Sequence, residues 1–132
     1  MEDGLLSRLV GFRLYSVQFG LDHVQLRFET DTSPHMPVLS CDALPLLQTS
    51  DETYSPGEPG YADAFIGLIS AGVTGTLEED GAGLAVVFDD STVVLNPVAE
   101  EVFGPEIAML SGFYDGSSTT WYPGETPFSG LG

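Results

Sequence analysis

Larger apolar side chains recur at every second position over two stretches of the chain, the pattern of pleated strands with one covered face. Over residues 72–95, Val73 and Leu77, then Leu84, Val86 and Phe88, are expected on one face of two successive strands. Between them, Glu78-Glu79-Asp80-Gly81-Ala82-Gly83 supplies glycines for positive φ and carboxylates that are costly to bury, which predicts a hairpin tip in water. Asp89-Asp90-Ser91 reads as a second tight turn, and Thr92-Val93-Val94-Leu95 as a third, β-branched strand that Asn96-Pro97 stops. The N-terminal half carries a fainter version. Leu14 and Val17 precede a Gly20-Leu21-Asp22 turn, and Val24, Leu26 and Phe28 then alternate with Gln25, Arg27 and Glu29. A polar loop, Thr30–His35, leads to a third strand over Met36–Cys41, with Pro37 marking an edge or a late start.

The two stretches align as an internal repeat. Gly11 and Leu14 match Ser70 and Val73 at an offset of 59 residues, whereas Val24, Leu26 and Phe28 match Leu84, Val86 and Phe88 at 60. The one-residue difference falls in a hairpin turn, where length changes are tolerated. The copies span about 9–41 and 68–97. Residues 42–60 hold three prolines, two glycines and four acids, the composition of an exposed, protease-sensitive connector with room for one helical turn over Ala43–Gln48. Phe65, Leu68 and Ile69 have the spacing of a short helix. Residues 106–122, with Asp115-Gly116 at their turn, predict a C-terminal hairpin, and the tail after Pro123-Gly124 is expected to be loose, with Phe128 free to tuck against the sheet. The expectation is one all-β domain over residues 1–132 with a minor helix: two antiparallel three-stranded meanders plus a hairpin, closing into a sandwich or half-barrel.

Charge changes the picture most. Twenty acidic residues face three cations, for a net charge of −17 without a single lysine. Arg8, Arg13 and Arg27 all precede Phe28, and all the acids except Glu2, Asp3 and Asp22 follow it. Such a surface repels nucleic-acid phosphates and anionic lipid and favours a basic protein partner; an acidic host proteome or simple solubility would account for the same bias. No apolar run reaches the roughly 20 residues of a membrane span, and MEDGLLSRLV lacks the basic-then-apolar order of a secretory signal. Cys41 alone makes no disulfide framework. A cytoplasmic monomer or weak dimer without cofactor is expected.

The order L-x-G-x-x-V, hairpin, L-x-V-x-F-D-D, D-G turn and P-G is carried here by Leu68, Val73, Gly81, Leu84, Val86, Phe88, Asp89, Asp90, Asp115, Gly116, Pro123 and Gly124. It resembles a family of small actinobacterial proteins grouped as a domain of unknown function. Ser70 and Ser91 stand where that pattern leads one to expect glycine. In size and acidity the chain is also similar to immunity proteins that neutralise polymorphic bacterial toxins.

Candidate chemistry is sparse. His23 and His35 have no metal-ligand spacing, no G-x-S-x-G elbow occurs, and the glycine-rich Gly75–Gly83 stretch would aim carboxylates at a phosphate without offering a lysine. The clusters Glu78-Glu79-Asp80, Asp89-Asp90 and Glu100-Glu101 lack calcium-loop spacing, so no metal site is expected. The function expected is binding without catalysis. The acidic turns Glu78, Glu79, Asp80, Asp89, Asp90, Glu100 and Glu101, with Trp121 or Tyr122 as an aromatic anchor, would meet a basic toxin or effector. A mimic of nucleic-acid charge that blocks a DNA-binding enzyme, and an enzyme with an unrecognised carboxylate site, are the alternatives. A single acidic face requires the 78–80 and 89–90 turns to point the same way.

Overall fold

The computed structural model describes residues 4–102 and 104–131, so Glu2 and Asp3 of the acidic lead and Phe103 lie outside the described residues. Two five-stranded antiparallel sheets form a sandwich-like arrangement with one minor helix and no closed barrel. Sheet one runs in the order β1 (Arg13–Phe19), β2 (Val24–Glu29), β3 (Val38–Cys41), β9 (Ala108–Ser111), β10 (Thr119–Trp121). Sheet two runs β5 (Thr53–Tyr54), β4 (Leu46–Thr49), β8 (Ser91–Leu95), β7 (Gly83–Phe88), β6 (Val73–Glu79). The helix α1 (Tyr61–Ile66) enters β6, as a 3-10 turn over Leu5–Leu9 enters β1.

The register of the ladders relates the two halves residue by residue. Leu14 faces Phe28 and Val73 faces Phe88, and directly after each pair the ladder slips by one residue, at Tyr15 and at Thr74. The buried Leu6 and Leu9 of the first half correspond to the buried Phe65 and Leu68 of the second, again 59 residues on. Where the halves meet, four backbone hydrogen bonds form two reciprocal pairs around an antiparallel Arg13–Gly72 bridge. Gly11 N donates to Val73 O at 3.1 Å and Ser70 N to Leu14 O at 2.7 Å; Leu14 N donates to Ala71 O at 2.9 Å and Val73 N to Phe12 O at 2.7 Å. Exchanging the halves exchanges the members of each pair, the signature of an approximate two-fold axis through the bridge. Gly11 (φ 95°) and Ser70 (φ 81°) hold equivalent left-handed positions at this seam. Ser70 thus occupies a glycine position in conformation as well as in sequence pattern.

The bulges correct one expectation. The extra residue at Thr74 reverses the alternation, so Leu77 pairs with Ala85 on the outer face and is 41% exposed, while Thr76 and Glu78 fall on the inner side. The helix likewise stops at Ile66, turning Ile69 outward while Tyr61 and Phe65 reach the core.

The segment 42–60 departs further from the expected connector. It carries the β4–β5 hairpin, and strand replaces the expected helical turn: β4 pairs with the free side of β8, Leu47 facing Val93 at 1% exposure. Without β4, the outer backbone groups of β8 would lack a ladder. In sheet one β9 does the same for β3, Leu110 facing Leu39. Each sheet is therefore three strands of one half completed by a hairpin of the other. The Asp115-Gly116 turn is present, with Gly116 N bonded to Phe113 O at 3.0 Å, but it sits inside a loop running from residue 112 to 118. The tail is ordered by contact: Phe128 is buried, and Gly81 N donates to Pro127 O.

Leu47→Ala is expected to cost about 2–5 kcal/mol in urea or thermal unfolding, whereas an exposed connector would leave stability unchanged. Ser70→Gly is expected to stabilise by roughly 0.5–1 kcal/mol, since relief of the left-handed strain exceeds the entropy of the added glycine; a loss of stability would show that the serine side chain does more than tolerate its φ.

Candidate functional site

The acidic positions do not form one cluster. Glu78–Asp80 lie at the β6–β7 turn and Asp89–Asp90 at the β7–β8 turn, at opposite ends of β7. Six residues of strand separate them, roughly 20 Å. Glu100 and Glu101, in a 3-10 turn after β8, sit at the Glu78–Asp80 end, because Leu95 at the close of β8 pairs with Leu84 at the start of β7.

Several of these carboxylates are used within the fold. Glu78 Oε2 accepts the Trp121 indole N–H at 2.9 Å, Asp80 Oδ1 accepts the Ser129 hydroxyl at 2.6 Å, and Glu101 Oε1 accepts the Val98 N–H at 2.9 Å. Trp121, 4% exposed, caps the core, and Tyr122, 42% exposed, is the surface aromatic of the two. Glu79, Asp89, Asp90 and Glu100 are exposed and make no side-chain hydrogen bond to a described residue.

What lies between the two acidic ends is the outer face of sheet two. Antiparallel partners share a face, so the pairings place Leu77, Ala85, Val94 and Leu46 in one row across four strands. The next row is Gly75, Val87, Thr92, Gln48 and Thr53. No charged side chain stands in either row. On sheet one the corresponding row is Gln18, Gln25, Ser40, Met109 and Thr120, in which the Gln25 amide donates to the Ser40 hydroxyl at 3.4 Å, and the row beside it carries Arg27. Two equivalent rows have thus diverged: one is mostly polar, the other, Leu77, Ala85, Val94 and Leu46, is all apolar in a chain of net charge −17. At one end of the apolar face stand Glu79 and Glu100; at the other stand Asp89 and Asp90, joined by Asp51 and Glu52 of the β4–β5 turn, since Thr49 pairs with Ser91.

None of the three cations belongs to a strand of sheet two. Arg8 pairs with Asp115 at 3.2 Å, and Arg13 spans Glu29 at 2.8 Å and Asp31 at 2.7 Å. The hydrogen bond and charge of Arg13 hold the Asp31 carboxyl below its ordinary range; Asp115 is lowered chiefly by Ser117, with Arg8 adding to it. Cys41 is buried, and desolvation, with the Asp42 charge beside it, pushes its thiol up to about 12, which keeps it protonated and unreactive at neutral pH. Among the described residues no group of three or more His, Cys, Asp or Glu side chains could hold a metal ion, and no helix is long and apolar enough to cross a membrane.

Comparison with protein-family models, with curated proteins and with solved structures returns no match.

The sequence located the acidic turns but not the apolar face they frame. Its members are scattered over residues 46–94, and Leu77 reads as core until the bulge is known. Glu78→Ala is expected to cost about 1–2 kcal/mol of stability by orphaning the Trp121 indole N–H, with Glu78→Gln restoring most of it. Glu79→Ala should stay within about 0.5 kcal/mol of the parent. Equal effects of the two alanine substitutions would remove the distinction between structural and free carboxylates.

Proposed function

We propose that this chain is a non-catalytic protein-binding domain that presents the outer face of sheet two to a basic protein, in the manner of an immunity-type inhibitor of a toxin or effector. The observation that carries this reading is the uncharged apolar row Leu46, Leu77, Ala85 and Val94, with free carboxylates at both ends, on the sheet whose equivalent face across the two-fold is polar. An apolar centre with a charged rim is the usual anatomy of a protein interface, and burying that centre supplies affinity while the rim sets rate and choice of partner. A second copy of the face would bring like-charged rims together, so a partner with an apolar strip flanked by Lys and Arg fits better than self-association. A mimic of nucleic-acid charge calls for a continuous track of carboxylates, whereas here an apolar strip interrupts it.

The test is capture of the partner from the native host, followed by reconstitution from purified proteins. The partner is expected to be basic, with an association rate that falls about tenfold or more as salt rises from about 50 to about 500 mM. Leu77→Arg, a cation placed amid the apolar row, should weaken binding about tenfold or more. Gln18→Arg, the equivalent change on sheet one, should not. A partner that binds without salt dependence, or that responds to Gln18→Arg as strongly as to Leu77→Arg, would overturn the proposal.

A further inference from the structure

The two sheets differ in a second place, and there the difference is a cavity. In sheet two, β7 passes to β8 through Asp89 and Asp90 alone, and β4 passes to β5 through residues 50–52. The equivalent connections of sheet one are long: residues 30–37 join β2 to β3, and residues 112–118 join β9 to β10. In addition Phe12 stands where the second half has Ala71. Together these changes enclose a half-open cavity of about 580 Å³, within the range of small-molecule sites. Sheet two is complete without any of them. They are elaborations added to a complete scaffold.

The cavity is also held in shape. Arg13 ties Asp31 of the β2–β3 loop at 2.7 Å, and Arg8 ties Asp115 of the β9–β10 loop at 3.2 Å, so two of the chain's three cations fasten its two lips. The loops meet at Gly112 (φ 94°), where a Cβ would lie 2.8 Å from Met36 O, so only glycine allows this approach. Phe28 N closes the base of the first loop on Pro37 O at 2.9 Å. The lining falls into two parts. Phe12 and Phe113, in edge contact at 6.4 Å, give an apolar wall with Pro37, and Tyr114, 71% exposed, forms a lip. Thr30, Thr32 and Ser33 supply hydroxyls, and His35 an imidazole, on the loop side.

We propose that this cavity is a binding site for a small uncharged ring compound carrying a hydroxyl group, its ring against Phe12 and Tyr114 and its hydroxyl among Thr30, Thr32 and Ser33. The charge of the ligand follows from the surroundings. The net charge of −17 repels an anion. A cation would compete with Arg8, whose guanidinium already lies over the Phe113 and Tyr114 rings at 4.5 and 5.5 Å from their centroids. The mostly apolar wall, with hydroxyls as its main polar groups, suits an aromatic or alicyclic ring better than a sugar, which needs polar partners on most of its edges. This site stands apart from the outer face of sheet two and does not depend on it.

Benzyl alcohol, benzylamine, benzoate and methyl glucoside serve as probes, read by amide chemical shifts in the full chain. Benzyl alcohol is expected to shift the amides of Thr32, Ser33, His35 and Tyr114 saturably, with a Kd of about 1–10 mM. Benzylamine and benzoate should bind about fivefold more weakly or not at all. Tyr114→Ala, at an exposed position, and Phe12→Ala, which installs the residue of the second half, should each weaken benzyl alcohol about fivefold or more. No saturable shift at these amides, an equal or tighter response to benzylamine, benzoate or methyl glucoside, or benzyl alcohol binding unchanged in a folded Tyr114→Ala protein would overturn the proposal.

Discussion

The structure turns on four backbone hydrogen bonds. Gly11–Leu14 and Ser70–Val73 grip each other around the Arg13–Gly72 bridge, and because the bonds are reciprocal, each half positions the other by the same contacts through which it is itself positioned. Sequence enters this seam through conformation more than through side chains. The positive φ at Gly11 and Ser70 turns the chain from its helical lead into its first strand, and the bulge that follows re-aims that strand over the core. Leu14 and Val73 lie before the bulge and are buried, whereas Leu77 lies after it and faces water. A one-residue irregularity thus decides which apolar side chains build the core and which are left for the surface.

A duplicated scaffold provides its own internal comparison. Whatever both halves share is needed to fold: the lead pairs Leu6–Leu9 and Phe65–Leu68, the meanders, the bulges, and the hairpins that complete the sheets. Whatever only one half has is free to serve something else. Two such differences stand out, the uncharged outer face of sheet two and the long loops at one end of sheet one. Charge divides along the same line, since the arginines lie in the first half and sheet two is built without a cation. The carboxylates at the ends of the apolar strip repel a like-charged surface and attract a basic one.

Most of the strands were legible in the sequence, and the reason is local. Val24, Leu26 and Phe28, like Leu84, Val86 and Phe88, alternate cleanly because one side of their strand is core and nothing interrupts the pleat. What the alternation hides is any break in its own period, so Leu77 read as buried. The β4–β5 hairpin escaped for a different reason: its strands are four and two residues long, and their partner β8 is more than forty residues away, so the prolines and acids around them dominate the local composition. The turns bearing the acidic residues were legible, since Asp and Gly announce turns, but not their placement at two ends of one strand relative to a face assembled from β4, β6, β7 and β8. The cavity left almost no trace. Its residues come from three separated segments, and its signal is a difference in loop length between repeats rather than a motif.

The completion of each sheet by the other half's hairpin bears on what the indivisible unit of this protein is. Neither half is a domain in its own right, because β3 and β8 would each be left with a bare edge. The geometry is that of a domain-swapped homodimer whose two chains have been spliced end to end through residues 55–60. Splicing makes the association of the halves intramolecular, so it no longer weakens on dilution, and it releases the two sequences from the requirement of identity that binds a symmetric dimer. A face or a loop altered in only one sheet, away from the two-fold axis, is something that a symmetric dimer cannot have.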